Sequence, residues 1–254
     1  MCIRDRAISL GYRHFDTAEM YAAGHSEELL GRALMGLNRS DFIITSKVKP
    51  ENLSYRGILS ACDGSLRKLQ TDYIDLYLIH WPSKDIPLAE TFQALNRLVR
   101  EDKVRNVGVS NFDLPLLEEA VRISETPLFG NQVLYSLFHR KPQFDGTLEF
   151  CQEHELTLTA YSPLRNCDFN HPTLVDVSER LSVAPQQLAI NWLIRQQNVV
   201  TIPKSSNRER QRDNLEAVNL KVGENDQKLL DDLILSLIHI SEPTSRRGIS
   251  FAVF

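Results

Sequence analysis

Short apolar runs alternate with apolar residues at helical spacing along almost the whole chain. The first run, residues 11–21 (GYRHFDTAEMY), passes from Phe15 into the polar Asp16, Thr17 and Glu19. That pattern predicts a short buried strand opening into a polar loop that carries Tyr21. A helix is expected over about residues 26–35, with Leu29, Leu30 and Leu34 inward. Residues 41–47 (DFIITSK) then read as a strand. The next helix has Ser54 as its cap and Ile58, Cys62, Leu66 and Leu69 on one face. Residues 73–80 (YIDLYLIH) are apolar on both alternating faces, as expected of a strand covered on both sides. A helix through Phe92, Leu95, Leu98 and Val99 leads to a strand at 104–111 (VRNVGVSN). Asp113 is placed to cap the helix that carries Leu114, Leu117 and Val121.

The second half repeats the alternation. Strands are expected at residues 129–135, 156–164 and 199–204. Helices are expected through Leu148 and Phe150, from Pro185 as a first helical residue, from Asn207 to Asn214, and over 226–235.

Seven strands separated by helices imply βα units and a parallel sheet. The short βα connections and the 254-residue length favour a closed barrel over an open doubly wound sheet. No GxGxxG, the nucleotide fingerprint of the open fold, occurs. The expected fold is therefore a (β/α)8 TIM barrel lacking its first strand, spanning residues 7–235. Residues 1–6 and 236–254 read as non-native tails. The first is short and charged; the second mixes an aperiodic stretch, a proline and paired arginines. With one strand gone, the strands bearing Asp16 and Thr201 would be sheet edges, and the chain is expected to be weakly stable and weakly active.

Composition adds little that is specific. The chain is 42% hydrophobic and 24% charged with a net charge of −4, and charges of both signs are interspersed. Neither a nucleic-acid face nor a membrane-attracting patch is expected. No apolar run reaches transmembrane length, and Cys2, Cys62, Cys151 and Cys167 form no CxxC pair. A cytoplasmic protein with reduced thiols, and a monomer, is the expectation.

The candidate chemistry lies where the strands end. In strand order these ends carry Asp16 with Tyr21, Lys47, His80 with Trp81, Ser110 with Asn111, Gln132, Tyr161 with Ser162, and Lys204 with Ser205. A barrel brings all such ends to one face. Each residue alone has an ordinary structural reading: Asp16 as a cap, Lys47 as a snorkelling surface lysine, His80 as a satisfied core histidine. Together they form a titratable cluster on neighbouring strands. A phenol, with a pKa near 10, is a poor donor unless a nearby ammonium lowers that value. Asp16 would hold Lys47 charged, Lys47 would lower the pKa of Tyr21, and His80 would hydrogen-bond a carbonyl oxygen. Such a donor suits carbonyl reduction, with hydride from a cofactor. A metal-dependent hydrolase is a weaker reading, because His14 and His80 lack matching ligand partners.

The motifs GYRHFDTAEMY, ITSK, YIDLYLIHWP, VGVSNF, NQVLY, AYSPL and IPKSSNRERQRDN occur in this order. On them the chain resembles the aldo-keto reductases over about residues 7–235, and its short 166–170 loop resembles bacterial 2,5-diketogluconate and methylglyoxal reductases. The resemblance implies a catalytic tetrad of Asp16, Tyr21, Lys47 and His80, and NADPH bound without a Rossmann fold. It implies that Ser110, Asn111 and Gln132 hold the nicotinamide carboxamide and that Tyr161 stacks on the ring. Ser162 and Leu164 would line the pyrophosphate path. Ile202, Lys204, Ser205, Ser206, Arg210 and Asn214 would surround the adenosine and its 2′-phosphate. Trp81, with Tyr21 and His80, would wall the pocket for a small carbonyl substrate such as an α-dicarbonyl or keto sugar. The alternative is an NADPH-binding module that does no turnover.

Overall fold

The computed structural model of the chain describes residues 3–233. Of the expected tails, residues 1–2 and 236–254 lie outside the described residues, as do 234 and 235 of the expected barrel span. Residues 3–6 open helix α1 (Ile3–Leu10), where Arg4 Nη2 donates to Ser26 Oγ at 3.1 Å.

Strands β1 (His14–Asp16), β2 (Ile43–Val48), β3 (Ile74–Ile79), β4 (Val104–Ser110), β5 (Leu128–Leu134), β6 (Thr157–Tyr161) and β7 (Val199–Thr201) form one parallel sheet in chain order. Between them lie α2 (His25–Leu34), α3 (Tyr55–Leu69), α4 (Leu88–Arg100) and α5 (Leu114–Ile123). Then come α6 (Lys141–Phe144), α7 (Thr147–Glu153), α8 (Pro172–Leu181) and α9 (Pro185–Ile194), with α10 (Arg208–Glu216) and α11 (Glu224–Asp231) after β7. Parallel strands joined by helices curl so that every strand's C-terminal end faces the same side.

The helix starts follow the capping residues in the sequence. Ser54 Oγ accepts from Gly57 N–H at 3.2 Å, Asp113 Oδ1 from Leu116 N–H at 3.1 Å, and Asn207 Oδ1 from Arg210 N–H at 3.1 Å. Every residue of β3 is buried, which matches its unbroken apolar run. Two expected strands are shorter than their apolar patterns. The sixth ends at Tyr161 because Ser162 adopts a left-handed conformation (φ 51°) that turns the chain away. Leu164 therefore lies beyond the strand and packs against the core. The seventh ends at Thr201, leaving Lys204 in the following loop. Helix α8 was not expected. It starts with Pro172 at its first position and buries Leu174 and Val177.

The sheet is one strand short of a closed eight-stranded barrel. Among the described residues β1 pairs with β2 alone and β7 with β6 alone, so the two expected edges are edges. The register places Ile43 beside His14 and Val200 beside Thr159, and both apolar side chains remain exposed. The outer layer closes at this seam. Helix α1 packs on α10, and Tyr12 Oη donates to the carbonyl of Gln211 at 2.7 Å.

A register shift between β4 and β5 gives β5 one extra residue between the pairs Val107–Leu128 and Val109–Asn131. Only glycine fits at its centre. A Cβ on Gly130 would lie 1.8 Å from the carbonyl oxygen of Thr157. The bulge brings Ser110 and Gln132 into register at the strand ends.

Candidate active site

Asp16 is the last residue of β1, and the chain stays zipped to β2 beyond it. Thr17 N–H donates to Thr45 O at 2.8 Å and Glu19 N–H to Lys47 O at 3.2 Å. Lys47, fully buried on β2, points its ammonium at Asp16. Its Nζ donates to Asp16 Oδ1 and, at 2.8 Å, to the carbonyl of Thr17. The hydroxyl of Tyr21 lies 3.5 Å from the same nitrogen. His80, immediately after β3, meets the Tyr21 ring edge-on with centroids 5.5 Å apart. The expected tetrad is thus assembled in one place.

Its electrostatics differ from expectation in one respect. Burial first, and the Asp16 carboxylate second, push the Tyr21 phenol up to about 12. The expected lowering by Lys47 does not offset them; its ammonium is directed at Asp16 and the carbonyl of Thr17. Burial lowers the pKa of Lys47 itself, with Asp16 opposing. The imidazole of His80 is pushed down to about 4 by burial and by Lys47. His80 is therefore neutral near pH 7. Its Nδ1 is buried with no partner among the described residues, which leaves Nε2 as the nitrogen able to meet a bound molecule.

The residues expected around a nicotinamide hydrogen-bond to one another and to neighbouring strand ends. Ser110 Oγ donates to Gln132 O at 2.8 Å, Asn111 Nδ2 to His80 O at 3.0 Å, and Tyr161 Oη to Asn111 Oδ1 at 2.9 Å. Asn111 holds its position through a left-handed backbone (φ 61°). Gln132 does something its strand position did not reveal: its Nε2 donates to Asp16 Oδ2 at 2.8 Å.

Further along the rim, Ile202 is half-buried, and its N–H donates to Ala160 O at 3.4 Å. Lys204, Ser206 and Arg210 are exposed, Ser205 is half-buried and Asn214 is buried. Lys204, Ser205 and Ser206 precede the N-terminus of α10 and Arg210 lies in its first turn, which favours anions; Asn214 lies in its last turn. A cavity of about 300 Å³ opens beside the cluster, lined by Trp81, Asn111, Phe112, Val133, Lys141 and Tyr161 among others. Of the three residues expected to wall a substrate, Trp81 lines this cavity; Tyr21 and His80 do not.

One participant had no local signal in the sequence. Glu19 Oε1 accepts from Lys49 N–H at 2.6 Å, and both its oxygens accept from Asn52 Nδ2 at 3.2 and 3.1 Å. Nothing about the spacing of residues 19 and 52 announces the pair.

The aldo/keto reductase family profile matches residues 3–169 and 170–234 of the chain. Methylglyoxal reductase YeaE of Escherichia coli (strain K12) is 37% identical over 206 residues, covering 78% of this chain and 72% of the relative. Among solved structures, the thermostable aldo-keto reductase Tm1743, in complex with the inhibitor epalrestat, superposes with a TM-score of 0.89 at 44% identity. That match covers 91% of this chain and 85% of the other. An aldo-keto reductase from Klebsiella pneumoniae in complex with NADPH superposes with a TM-score of 0.83 at 36% identity, covering 98% and 86%. The chain belongs to the aldo/keto reductase family.

Proposed function

We propose that this member of the family reduces aldehydes or ketones to alcohols with NADPH, Tyr21 giving the proton. The carrying observation is the convergence of Tyr21, Lys47, Asp16 and His80, with Lys47 Nζ 3.5 Å from the phenol oxygen. The donor set fits the cofactor. Carboxamide-matching side chains (Ser110, Asn111, Gln132) and an aromatic ring (Tyr161) lie at neighbouring strand ends, and Lys204 and Arg210 flank a helix N-terminus suited to a phosphate. NADPH, when bound, supplies the hydride. The relative that acts on methylglyoxal supports an α-dicarbonyl substrate.

In this reading His80 Nε2 donates to the substrate oxygen and sets its position. Tyr21 hands its proton to that oxygen as negative charge grows there. Lys47 stabilises the phenolate that results, and Asp16 keeps the ammonium in place. With a ground-state pKa of about 12 the phenol is fully protonated near neutrality, as a donor must be. Trp81 lines the cavity beside the cluster and would wall the substrate there. We place the protein in the cytoplasm as a monomer. No helix among the described residues is long and apolar enough to cross a membrane.

NADPH oxidation with methylglyoxal, followed at 340 nm for the wild type and for Tyr21→Phe, tests the proposal. Turnover lost in Tyr21→Phe with NADPH binding kept is the expected result. Turnover unaffected by that change rejects Tyr21 as donor. Tight NADPH binding with no oxidation of any carbonyl would point to a module that binds without turnover.

A further inference from the structure

Tyr21 sits on a stretch with little to hold it. Ala18 and Gly24 are buried anchors, but Met20, Tyr21, Ala22 and Ala23 between them are exposed. Ala22 and Ala23 both have left-handed backbones (φ 49° and 54°), a conformation that L-residues with a Cβ avoid and keep only where their surroundings enforce it. The N–H groups of Tyr21 and Ala23 reach only the carbonyls of Ala18 and Met20, within the same turn. Gly24 at the far end is buried in a left-handed conformation (φ 89°) that suits glycine. What ties the near end to the rest of the fold, beyond the buried Ala18, is Glu19, whose N–H donates to Lys47 O at 3.2 Å. Its carboxylate takes the N–H of Lys49 and the side-chain amide of Asn52, both in the turn that follows Lys47.

We propose that Glu19 is a positioning residue for catalysis: its carboxylate straps the Tyr21 loop to the β2–α3 turn and so fixes the phenol against Lys47. The inference rests on the reading of Tyr21 as proton donor. Glu19 lies two residues before Tyr21, and its acceptors bind two and five residues after Lys47. The strap therefore joins the chain segments that carry the donor and the ammonium. Without it the strained alanines relax, and the phenol leaves the 3.5 Å contact with Nζ. A glutamine keeps the strap, because its carbonyl oxygen accepts from Lys49 N–H and the Asn52 amide can turn its own oxygen toward the new NH₂.

Two measurements on Glu19→Ala, Glu19→Gln and the wild type test this. In steady-state kinetics with methylglyoxal, Glu19→Ala should lose about 10²-fold in kcat, the scale of a misplacement near 1 Å, while KM and NADPH affinity stay within about threefold. Glu19→Gln should recover most of that loss. In the cofactor-free protein, ¹³Cζ tyrosine NMR should show the Tyr21 resonance, identified by its absence from Tyr21→Phe, titrating above the ordinary range. In Glu19→Ala that resonance should titrate near pH 10, as a solvated phenol does. A Glu19→Ala protein with wild-type kcat, or with an unchanged Tyr21 titration, overturns the strap. So does a loss in which Glu19→Gln falls as far as Glu19→Ala. If no protein in the series turns over any carbonyl, the reductase reading fails and the NMR titration still decides the strap.

Discussion

The side-chain amide of Gln132 donates to Asp16 Oδ2 at 2.8 Å, joining residues 116 positions apart across the interior of the half-barrel. Asp16 is thereby held at both oxygens, by Lys47 on one and Gln132 on the other. A carboxylate so constrained cannot swing away from Lys47. Replacing Gln132 by Leu leaves Oδ2 without its donor in a largely buried position. The expected cost is about 1–3 kcal/mol in urea unfolding. Gln132→Glu sets two carboxylates against each other, so that variant should gain stability between pH 7 and pH 5 as the pair takes up a proton. An acid-insensitive Gln132→Glu protein would show that the two side chains do not meet in solution.

The ammonium of Lys47 is fully buried, so its partner cannot be removed cheaply. Asp16→Leu strands the charge and should destabilise the fold by about 3–5 kcal/mol. The double variant Asp16→Leu, Lys47→Met removes both charges and should regain most of that loss while showing no turnover. Chemical denaturation of the three proteins at pH 7 measures it. A double variant as unstable as Asp16→Leu alone would mean that the damage comes from shape and not from charge.

His80 gives the fold an acid limit. It is 7% exposed, and its pKa falls to about 4 from an ordinary 6.5, first through burial and then through Lys47. The folded state keeps the ring neutral where the unfolded chain would protonate it. Stability from this group is complete above pH 6.5 and drains away as the pH falls to about 4, at roughly 1.4 kcal/mol per pH unit. Burial also lowers His14, which adds to the slope. His80→Gln should flatten the dependence by up to one proton in urea titrations between pH 7 and 4. An unchanged slope would refute the assignment.

Lys204 and Arg210 are exposed beside the first turn of α10. If they read the 2′-phosphate, their joint replacement by Ala should weaken NADPH and leave NADH untouched. A charge-assisted bond of about 1.5–3 kcal/mol translates to roughly tenfold to hundredfold per residue. Fluorescence titration with both cofactors makes the comparison. Equal weakening of the two would assign the residues to the shared part of the dinucleotide.

The strand ends were legible because period and position coincide. An apolar run that gives way to a polar residue near the strand's end, at Asp16, Lys47 or His80, marks both the element and the end at which the side chain lies, although β1 itself is only half-buried. Caps at Ser54, Asp113 and Asn207 were legible for the same local reason. What escaped the sequence was contact between distant segments. Neither the Gln132–Asp16 bond nor the Glu19–Asn52 bond has a periodic signature. The direction of the Tyr21 shift escaped as well, because it depends first on how far the fold buries the phenol and then on the nearness of Asp16, which are geometry and not spacing.

The open seam makes a final prediction. Among the described residues strands β1 and β7 each leave one side unpaired, and Val200 on β7 is 41% exposed. An apolar residue on an unpaired edge invites another copy of the chain to add a strand there. Val200→Lys sets a charge on that edge at a site with solvent access, so the fold need not bury it. Light scattering during a slow thermal ramp should then begin at a higher temperature than in the wild type, with the folded protein's far-UV spectrum unchanged. The effect should shrink as salt rises, because the added repulsion between copies is screened beyond about 10 Å at 0.1 M ionic strength. A variant that scatters at the same temperature and at every salt concentration would show that association proceeds through another surface.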